Sequence, residues 1–286
     1  MATLYITDLD GTLLNAEGAL PQSTVDILRP LLAQGLLLTV ATARSPATAV
    51  ELLRPLCLKQ PAVLMAGTML YDLQAAKTLS TTRLTRAAVT AVCDMLETTG
   101  REAMAYCVRD GALFVYYKYF TCELEREFSE SRLHSPYKTF VRVKHYPAAL
   151  KGSDPLMFLF CLPDLRTAHT YYTLLSAVPD VTCYFYAYEY SNNGYVLEVY
   201  PAGCDKGSAL AQLRACTGAD QIIAFGDNNN DVPLFHAADE SCAVQNAVSE
   251  AKAAATRVIG ANTQDGVAKW IAAHWRAENA ACQPLI

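Results

Sequence analysis

Four carboxylates of this chain come directly after apolar segments that lie far apart in the sequence. Asp8 and Asp10 follow one such segment near the N-terminus, and Asp227 and Asp231 follow another near the C-terminus. Carboxylates held together repel each other, and a buried unpaired charge costs several kcal/mol, so such a cluster requires a cation. Carboxylate oxygens with amides nearby suit Mg²⁺, which also keeps waters and a substrate phosphate in its shell. The acids therefore predict a Mg²⁺ site if the two segments meet.

The segments that must position these acids have the pattern of a parallel sheet. Leu4–Thr7 and Leu36–Ala41 are apolar without alternation, and Ser23–Ala33 between them places its apolar residues on one helical face. This is a βαβ unit, and open α/β sheets bind ligands at the carboxyl ends of their strands. Further elements are predicted at Ala47–Leu56 (helix), Ala62–Ala66 (strand), Lys206–Cys216 (helix) and Gln221–Phe225 (strand).

The middle of the chain has a different pattern. Glu102–Val108 and Ala112–Tyr117 alternate around Asp110-Gly111, which is typical of a tight hairpin. Strands at Leu156–Cys161, Thr182–Tyr188 and Tyr195–Val199, a helix at Leu165–Leu175 and a second hairpin signal at Asn193-Gly194 continue this pattern. Tyrosines 184, 186, 188 and 190 share one face of a strand, where packing against helices is expected. An α+β domain inserted into the α/β domain is therefore predicted.

Composition excludes several classes of protein. The 286 residues are 52% hydrophobic and 18% charged, which predicts a folded core and favours two domains. The net charge of −5 and the absence of a basic cluster argue against a nucleic-acid partner. No apolar run reaches the roughly 20 residues of a membrane helix, and no signal peptide or CxxC pair is present. We expect a cytoplasmic protein with reduced cysteines, and nothing predicts its oligomeric state.

Four motifs in a fixed order carry a family resemblance. Asp8-Leu9-Asp10-Gly11-Thr12 resembles the DxDGT signature of the haloacid dehalogenase superfamily, and Thr42, Lys206 and the segment from Asp227 to Asp231 match its other three motifs. An insertion between the third strand and the lysine motif resembles the Cof-type phosphatases with a C2 cap. The resemblance implies a Rossmann-like core at residues 1–82 and 201–286, with a mostly parallel sheet, and an α+β cap at residues 83–200.

The resemblance also implies a mechanism, Mg²⁺-dependent hydrolysis of small phosphate monoesters. Asp8 is then the nucleophile that forms an aspartyl-phosphate, and Asp10 is the general acid and base. Crowding by Asp8 and Asp227 would help Asp10 to hold its proton. The metal ligands are the Asp8 carboxylate, the Asp10 carbonyl and Asp227, with Asp231 in support.

The remaining implied roles concern the phosphate group. Lys206 neutralises its charge, while Thr42, Asn230 and the backbone N–H groups of Leu9 and Ala43 donate hydrogen bonds to it. Arg44 either faces the phosphate or forms a structural ion pair.

Two residues depart from the usual family pattern. Ala43 replaces a glycine, which can change the shape beside the phosphate, and Ala66 replaces an asparagine, which puts any role of that side chain in doubt.

Substrate identity and two other functions stay open from the sequence. The ester is a sugar phosphate, a nucleotide or a cofactor phosphate, and Ser191, Asn192 and Asn193 of the cap are only weak candidates for contacting it. A sugar phosphomutase of the same fold is one alternative, distinguishable by conversion of a hexose 1-phosphate to the 6-phosphate. A non-catalytic protein that binds phosphorylated metabolites is the other, and the complete set of motif residues argues against it.

Overall fold

The chain folds into two compact units. The computed structural model describes residues 2–130, 132–188 and 194–281. The core unit contains the chain up to Lys77 and from Asp205 onward, and the inserted unit is Thr78–Cys204. The sequence predicts boundaries after residues 82 and 200, a few residues from these positions.

Helices and strands follow one another in the order expected for an interrupted α/β domain. The first part of the core unit contains β1 (Thr3–Thr7), α1 (Gln22–Ala33), β2 (Leu37–Val40), α2 (Pro46–Leu53), β3 (Ala62–Leu64) and β4 (Met69–Asp72), and β5 (Lys77–Thr81) crosses the boundary into the inserted unit. The inserted unit continues with α3 (Arg86–Thr99), β6 (Met104–Arg109), β7 (Ala112–Tyr117), α4 (Glu123–Glu130), β8 (Thr139–Arg142), α5 (Tyr146–Leu150), β9 (Asp154–Leu162), α6 (Leu165–Ser176), β10 (Val181–Ala187) and β11 (Tyr195–Pro201). The core unit ends with α7 (Leu210–Thr217), β12 (Gln221–Gly226), α8 (Val232–Ala237), β13 (Glu240–Val244), α9 (Ser249–Ala254), β14 (Arg257–Ile259) and α10 (Gly266–Ala281).

The core unit is built on a parallel sheet with strand order β14-β13-β12-β1-β2, which confirms the predicted fold class. Thr7 lies opposite Phe225 in β12 and opposite Val40 in β2, so the three strands end at the same edge. The three central strands β12, β1 and β2 are mostly apolar because both of their faces are largely buried. On one side, Trp270 of α10 packs edge-on against the rings of Tyr5 and Phe225.

Two predicted elements of the core unit differ in the structure. The third strand ends at Leu64 rather than Ala66 and pairs antiparallel with β4, and its Val63 forms a parallel bridge with Ala41 at the edge of the parallel sheet. The helix predicted from Lys206 begins at Leu210 instead, because the residues before it form a turn. In that turn the Ser208 N–H donates to the Asp205 side chain at 2.8 Å.

The inserted unit is a six-stranded sheet with strand order β10-β11-β9-β6-β7-β8. Its pairs are antiparallel except β7 with β8, and the predicted hairpin at Asp110-Gly111 is confirmed with φ of +50° and +80° at the two turn residues. Side chains of α3, α5 and α6 form the hydrophobic core on one face of this sheet. Helix α4 lies against β9, and its Ser129 hydroxyl contacts the Met104 sulfur of β6 at 3.4 Å.

The packing predicted for the tyrosines of β10 is partly wrong. Phe185, which points to the opposite face from them, contacts the α6 ring of Tyr172, with 5.2 Å between centroids. Tyr184 and Tyr186 instead contact β11, while Tyr188 contacts the α4 ring of Phe128. The reason is that α6 packs on the face of the sheet that carries the odd-numbered residues of β10. Tyr190, Ser191, Asn192 and Asn193 lie outside the described residues.

In the described parts of the chain, no helix combines the length and the apolar character needed to cross a bilayer.

Candidate active site

The edge where β1, β2 and β12 end carries the acids that the sequence singles out. Asp8 directly follows β1, and Asp227 directly follows β12. Because these strands are hydrogen-bonded neighbours, their carboxyl ends bring together residues more than 200 positions apart. The acids of the two segments therefore meet, which is the condition for the cation site predicted from the sequence.

Lys206 joins two of the carboxylates. Its Nζ lies 2.7 Å from Oδ1 of Asp8 and 2.6 Å from Oδ1 of Asp231. All three side chains are buried, with relative exposures of 5% or less. A charge at such a position is tolerated only when it is paired and hydrogen-bonded, and this arrangement supplies both. Lys206 thus stabilises the acidic cluster from within it.

Asp231 uses both of its oxygens inside the protein. Oδ2 accepts hydrogen bonds from the backbone N–H groups of Asp227 and Asn228, at 2.9 and 3.0 Å, while Oδ1 is bound to Lys206. Gly226 makes this close approach possible, since a Cβ there would lie 2.5 Å from Cγ of Asp231. Asp231 therefore holds the loop that carries Asp227 and orients Lys206.

Asp227 is half-buried and is held from the opposite segment. Its Oδ1 accepts a hydrogen bond from the Thr12 hydroxyl at 2.8 Å. Gly11 lies against it with φ of +74°, and a Cβ there would be 2.4 Å from Oδ2. Only glycine allows the first loop to pass this close to the carboxylate. The two acidic segments are thus in direct contact.

Burial controls the electrostatics of the cluster. It raises the pKa of Asp8 well above the usual range, an effect opposed by Lys206 and reinforced by Asp231. Burial likewise raises the pKa of Asp227 to about 6, where the Thr12 hydrogen bond opposes the shift and the charge of Asp231 adds to it. For Lys206 burial disfavours the charge, but the two carboxylates outweigh it and raise the pKa. One lysine therefore does not compensate three acids, and a further cation would complete the cluster.

The donor set fits a divalent metal ion. Asp8, Asp227 and Asp231 each offer a carboxylate oxygen, and these atoms lie within 4.8 Å of one another. Hard oxygen donors at this spacing are the type that Mg²⁺ binds. Because both oxygens of Asp231 already accept hydrogen bonds from the protein, Asp231 is the least suited of the three to bind an ion directly.

Asp10 is held apart from the buried cluster by Arg44. The guanidinium donates from Nε to Oδ2 at 2.8 Å and from Nη2 to Oδ1 at 2.6 Å, a two-point ion pair on a half-exposed carboxylate. Of the two positions considered for Arg44, the structure therefore shows the ion pair.

The residues expected to contact phosphate lie at the same edge. Thr42 follows β2, is buried, and its Oγ1 accepts a hydrogen bond from the Arg44 N–H at 3.2 Å. Ala43 and Asn230 are exposed, whereas Leu9 is buried. Ala43 is not among the described residues with positive φ, so alanine replaces glycine there without backbone strain.

Sequence reasoning missed the residues that anchor the first acidic loop. The Asn246 amide donates to the Gly11 carbonyl at 2.8 Å, and Asn246 Oδ1 accepts from the Asn262 N–H at 3.0 Å. Asn262 in turn donates to the Leu14 carbonyl at 2.9 Å. Both asparagines lie in turns after strands, where such residues are common, and no spacing distinguishes them.

The parallel core sheet, the inserted α+β unit and the acidic strand ends are the features of a hydrolase that transfers phosphoryl groups. The sequence profile of the haloacid dehalogenase-like hydrolases matches residues 5–271. The chain is 27% identical to the pyridoxal phosphate phosphatase YbhA of Escherichia coli, over 93% of this chain and 96% of that protein. It is 24% identical to the 5-amino-6-(5-phospho-D-ribitylamino)uracil phosphatase YwtE of Bacillus subtilis, over 92% and 95% of the two chains.

Solved structures show the same fold. A haloacid dehalogenase-like hydrolase from Bacteroides thetaiotaomicron aligns with a TM-score of 0.75 at 20% identity, covering 95% of this chain and 98% of that one. The subclass IIB sugar phosphatase BT4131 aligns with a TM-score of 0.71 at 20% identity, covering 96% and 99%. This chain belongs to the haloacid dehalogenase-like hydrolases and is a phosphatase of the Cof type.

Proposed function

We propose that the protein hydrolyses small phosphate monoesters with Mg²⁺ through an aspartyl-phosphate intermediate. The observation that carries this proposal is the buried Asp8 carboxylate at the end of β1, held 2.7 Å from Lys206 within a cluster of three acids. A nucleophile in this position is oriented by the sheet edge and needs no side-chain base to activate it, provided that it is ionised.

Asp8 acts first in the proposed reaction. One of its carboxylate oxygens attacks phosphorus, the bond from phosphorus to the ester oxygen breaks, and the leaving oxygen receives a proton from Asp10. Asp10, now ionised, then takes a proton from water, which attacks phosphorus and breaks the bond to Asp8, so that inorganic phosphate leaves, Asp8 is again a carboxylate and Asp10 again carries its proton. For this role Asp10 must exchange its ion pair with Arg44 for a contact with the leaving group.

The metal site belongs to the same cluster. The Asp8 carboxylate, the backbone carbonyl of Asp10 and Asp227 would hold Mg²⁺, with Asp231 supporting Asp227 and Lys206. When bound, the ion neutralises charge that builds up on the phosphoryl oxygens. The burial-raised pKa of Asp8 supports this assignment, because a neighbouring cation favours the ionised form that the attack requires.

Lys206 and the ends of two loops would hold the phosphate. Lys206 lies against the nucleophile and offsets phosphate charge, while Thr42, Asn230 and the N–H groups of Leu9 and Ala43 donate hydrogen bonds. Arg44, which controls the position of Asp10, is a supporting residue.

The relatives indicate the substrate class. The two curated phosphatases are named for pyridoxal phosphate and for a phosphorylated ribitylaminouracil, both small phosphorylated metabolites. We propose that this chain also acts on such a metabolite, as a cytoplasmic enzyme, and not on a nucleic acid or a membrane component.

Replacement of the nucleophile tests the mechanism. Asp8→Asn should lower kcat for p-nitrophenyl phosphate by about 10⁴-fold or more while the protein stays folded. Asp94→Asn, an exposed acid of α3, is the matched control and should leave kcat unchanged. Chelation with EDTA should abolish turnover and added Mg²⁺ should restore it. Metal-dependent hydrolysis by Asp8→Asn at the wild-type rate would refute the mechanism.

A further inference from the structure

The outermost strand of the inserted unit, β10, has one edge without a neighbour. It lies at the end of the strand order, and among the described strands it pairs with β11 alone. It is seven residues long, and all seven are half-exposed or exposed. An unpaired strand edge presents a row of main-chain N–H and C=O groups that can pair with another strand. The edge of β10 is therefore a surface to which a further strand can bind.

The hydrogen bonds of the β10–β11 hairpin show which groups point outward. The Tyr188 N–H donates to the Gly194 carbonyl at 2.8 Å, and the Ala202 N–H donates to the Asp180 carbonyl at 2.9 Å. Bonded pairs alternate along an antiparallel ladder, so the even-numbered residues of β10 bond to β11. The odd-numbered residues direct their main-chain groups away from β11, and they are Val181, Cys183, Phe185 and Ala187. In the parts of the chain that the structure describes, nothing pairs with these four N–H and four C=O groups.

β10 lacks the features by which proteins protect an exposed strand edge. It contains no charged residue and no proline, and its pairing with β11 is continuous, without a bulge. The edge strand at the other end of the same sheet, β8, has only four residues and carries Arg142. The edge strand β14 of the core unit has three residues and carries Arg257. Of these three edges, β10 is therefore the one that favours pairing.

Side-chain contacts hold β10 in place on both of its faces. On the odd-numbered face the Phe185 ring contacts the ring of Tyr172 in α6, with 5.2 Å between centroids. On the even-numbered face the Tyr186 hydroxyl donates a hydrogen bond of 3.1 Å to Glu198. Because the strand is already ordered, a partner strand can add to it at a low cost in conformational entropy.

We propose that two copies of the chain pair their β10 strands antiparallel about a two-fold axis at Tyr184. In this register Val181 lies opposite Ala187 of the second copy, and Cys183 lies opposite its Phe185. All the outward N–H and C=O groups of both strands are then bonded, whereas a register shifted along the strand leaves some of them unpaired within β10.

A second copy is the partner that this edge fits. Two antiparallel copies of one strand present the same row of donors and acceptors to each other, which is the requirement of a two-fold interface. Because β10 is uncharged, the pair also brings no like charges of the two strands face to face. The two six-stranded sheets become one sheet of twelve strands.

Hydrogen exchange and sedimentation of the wild-type chain test the dimer and its register. The mass in sedimentation equilibrium should rise with concentration to twice that of one chain. Over the same range the odd-numbered amides of β10 should exchange at least about 10-fold more slowly, while the even-numbered amides, which bond to β11, should change less. A monomer at every concentration overturns the proposal, and so does a dimer whose odd-numbered β10 amides stay unprotected.

Charge exchange tests the pairing of particular residues. The double variant Val181→Lys/Ala187→Lys places lysines opposite each other at both ends of the strand pair, and Val181→Glu/Ala187→Glu does the same with glutamates. Each should raise the dissociation constant of the dimer at least about 10-fold, and an equal mixture should dimerise about as tightly as the wild type. Recovery in the mixture also shows that both variants fold. A mixture that stays monomeric, or single variants that dimerise like the wild type, would overturn the proposal.

Two further variants complete the test. Ala112→Lys is the matched control, because Ala112 is an exposed alanine of β7 in the same unit, and it should leave the dissociation constant unchanged. Asp8→Asn, which removes the proposed nucleophile, should dimerise like the wild type. Failure of the phosphatase mechanism would therefore leave the dimer intact, so the two proposals are tested independently.

Discussion

The two units of this protein treat buried charge in opposite ways. In the core unit the ammonium group of Lys206 lies 2.6 to 2.7 Å from the carboxylates of Asp8 and Asp231, and Asp231 also accepts backbone hydrogen bonds. In the inserted unit Lys138 and Glu198 share one face of a sheet, and neither has an opposite charge beside it among the described residues. In the core cluster opposite charges offset the cost of each other's burial, whereas the buried amine and the buried acid of the inserted unit each lack that compensation among the described residues.

The largest effect that follows from this contrast is expected at Lys206. Lys206→Met leaves Asp8 and Asp231 buried without their shared cation, so unfolding free energy should fall by about 3–5 kcal/mol in metal-free buffer. In the proposed mechanism Lys206 also offsets the charge of the phosphate, so its loss should lower kcat/KM by about 10³-fold. Thermal denaturation and steady-state kinetics measure the two effects.

Lys59→Met is the control for this substitution, because Lys59 is exposed in the same unit. Added Mg²⁺ should return part of the lost stability to Lys206→Met, since the ion supplies positive charge to the same carboxylates. If Lys206→Met is as stable as the wild type without metal, Lys206 does not compensate the charges of the core acids. The two units would then not differ in how their buried charges are compensated.

The next effect concerns Glu198 and depends on pH. Its pKa is raised from 4.5 to about 7 in the folded protein, so the folded state holds the proton more tightly than the unfolded chain. The contribution to stability is therefore complete below about pH 4.5 and is lost as pH rises through about 7, a change of about 3 kcal/mol. Glu198→Gln has no such proton, so its stability relative to the wild type should increase by about that amount between pH 4.5 and pH 8.

Denaturant titrations at several pH values measure this difference. Titration of Lys138 occurs in both proteins and cancels in the comparison, while Glu130→Gln, an exposed change, should give a flat difference. A flat difference for Glu198→Gln itself would mean that its carboxylate is compensated in the folded protein, as the core acids are.

A smaller effect is expected where the two acidic segments of the core unit touch. Thr12→Val removes the 2.8 Å hydrogen bond to Asp227 at nearly constant volume, so the carboxylate is less well oriented. The Mg²⁺ concentration for half-maximal activity should rise about 10-fold, as is usual when a partner of a metal ligand is lost. Thr12→Ser keeps the hydroxyl and should restore the wild-type value, and an unchanged metal requirement in Thr12→Val would place the ion away from Asp227.

The sequence predicts the core unit better than the inserted one, for physical reasons. Apolar strands followed at once by acids fix Asp8 and Asp227 to one sheet edge, because parallel strands must end together. The position of Lys206 followed only from the family resemblance, since its partners are distant in the chain and it lies in a turn where the sequence predicts the start of a helix. Asn246 and Asn262 were missed because ordinary loop residues give no signal until the loops are in contact.

The charges of the inserted unit could not be predicted at all. Lys138 and Glu198 occur at positions whose burial depends on which strands become neighbours and on where α4 lies. The alternation of residues in β10 does predict a two-faced strand, and what failed was the choice of the face that the helices cover. The covered face is set by where α6 packs on the sheet, and the local sequence of β10 does not show where α6 packs.

The smallest effect concerns backbone strain, which the two units also distribute differently. The inserted unit places Asp110 and Gly111 at positive φ in its hairpin, where these residue types are favourable, whereas the core unit places Met65 and Ala66 at φ of +50° and +54° beside the site. Alanine in the left-handed region costs about 1 kcal/mol, and asparagine costs less because its side chain bonds locally. Ala66→Asn should therefore raise unfolding free energy by about 0.5 kcal/mol, and Asp110→Ala should lower it by a similar amount, both measurable by denaturant titration.

Ala75→Asn, at an exposed position outside the positive-φ residues, is the control and should change nothing. If Ala66→Asn instead loses stability, the side chain meets its surroundings unfavourably, and alanine at this position is an adaptation of packing rather than a tolerated strain.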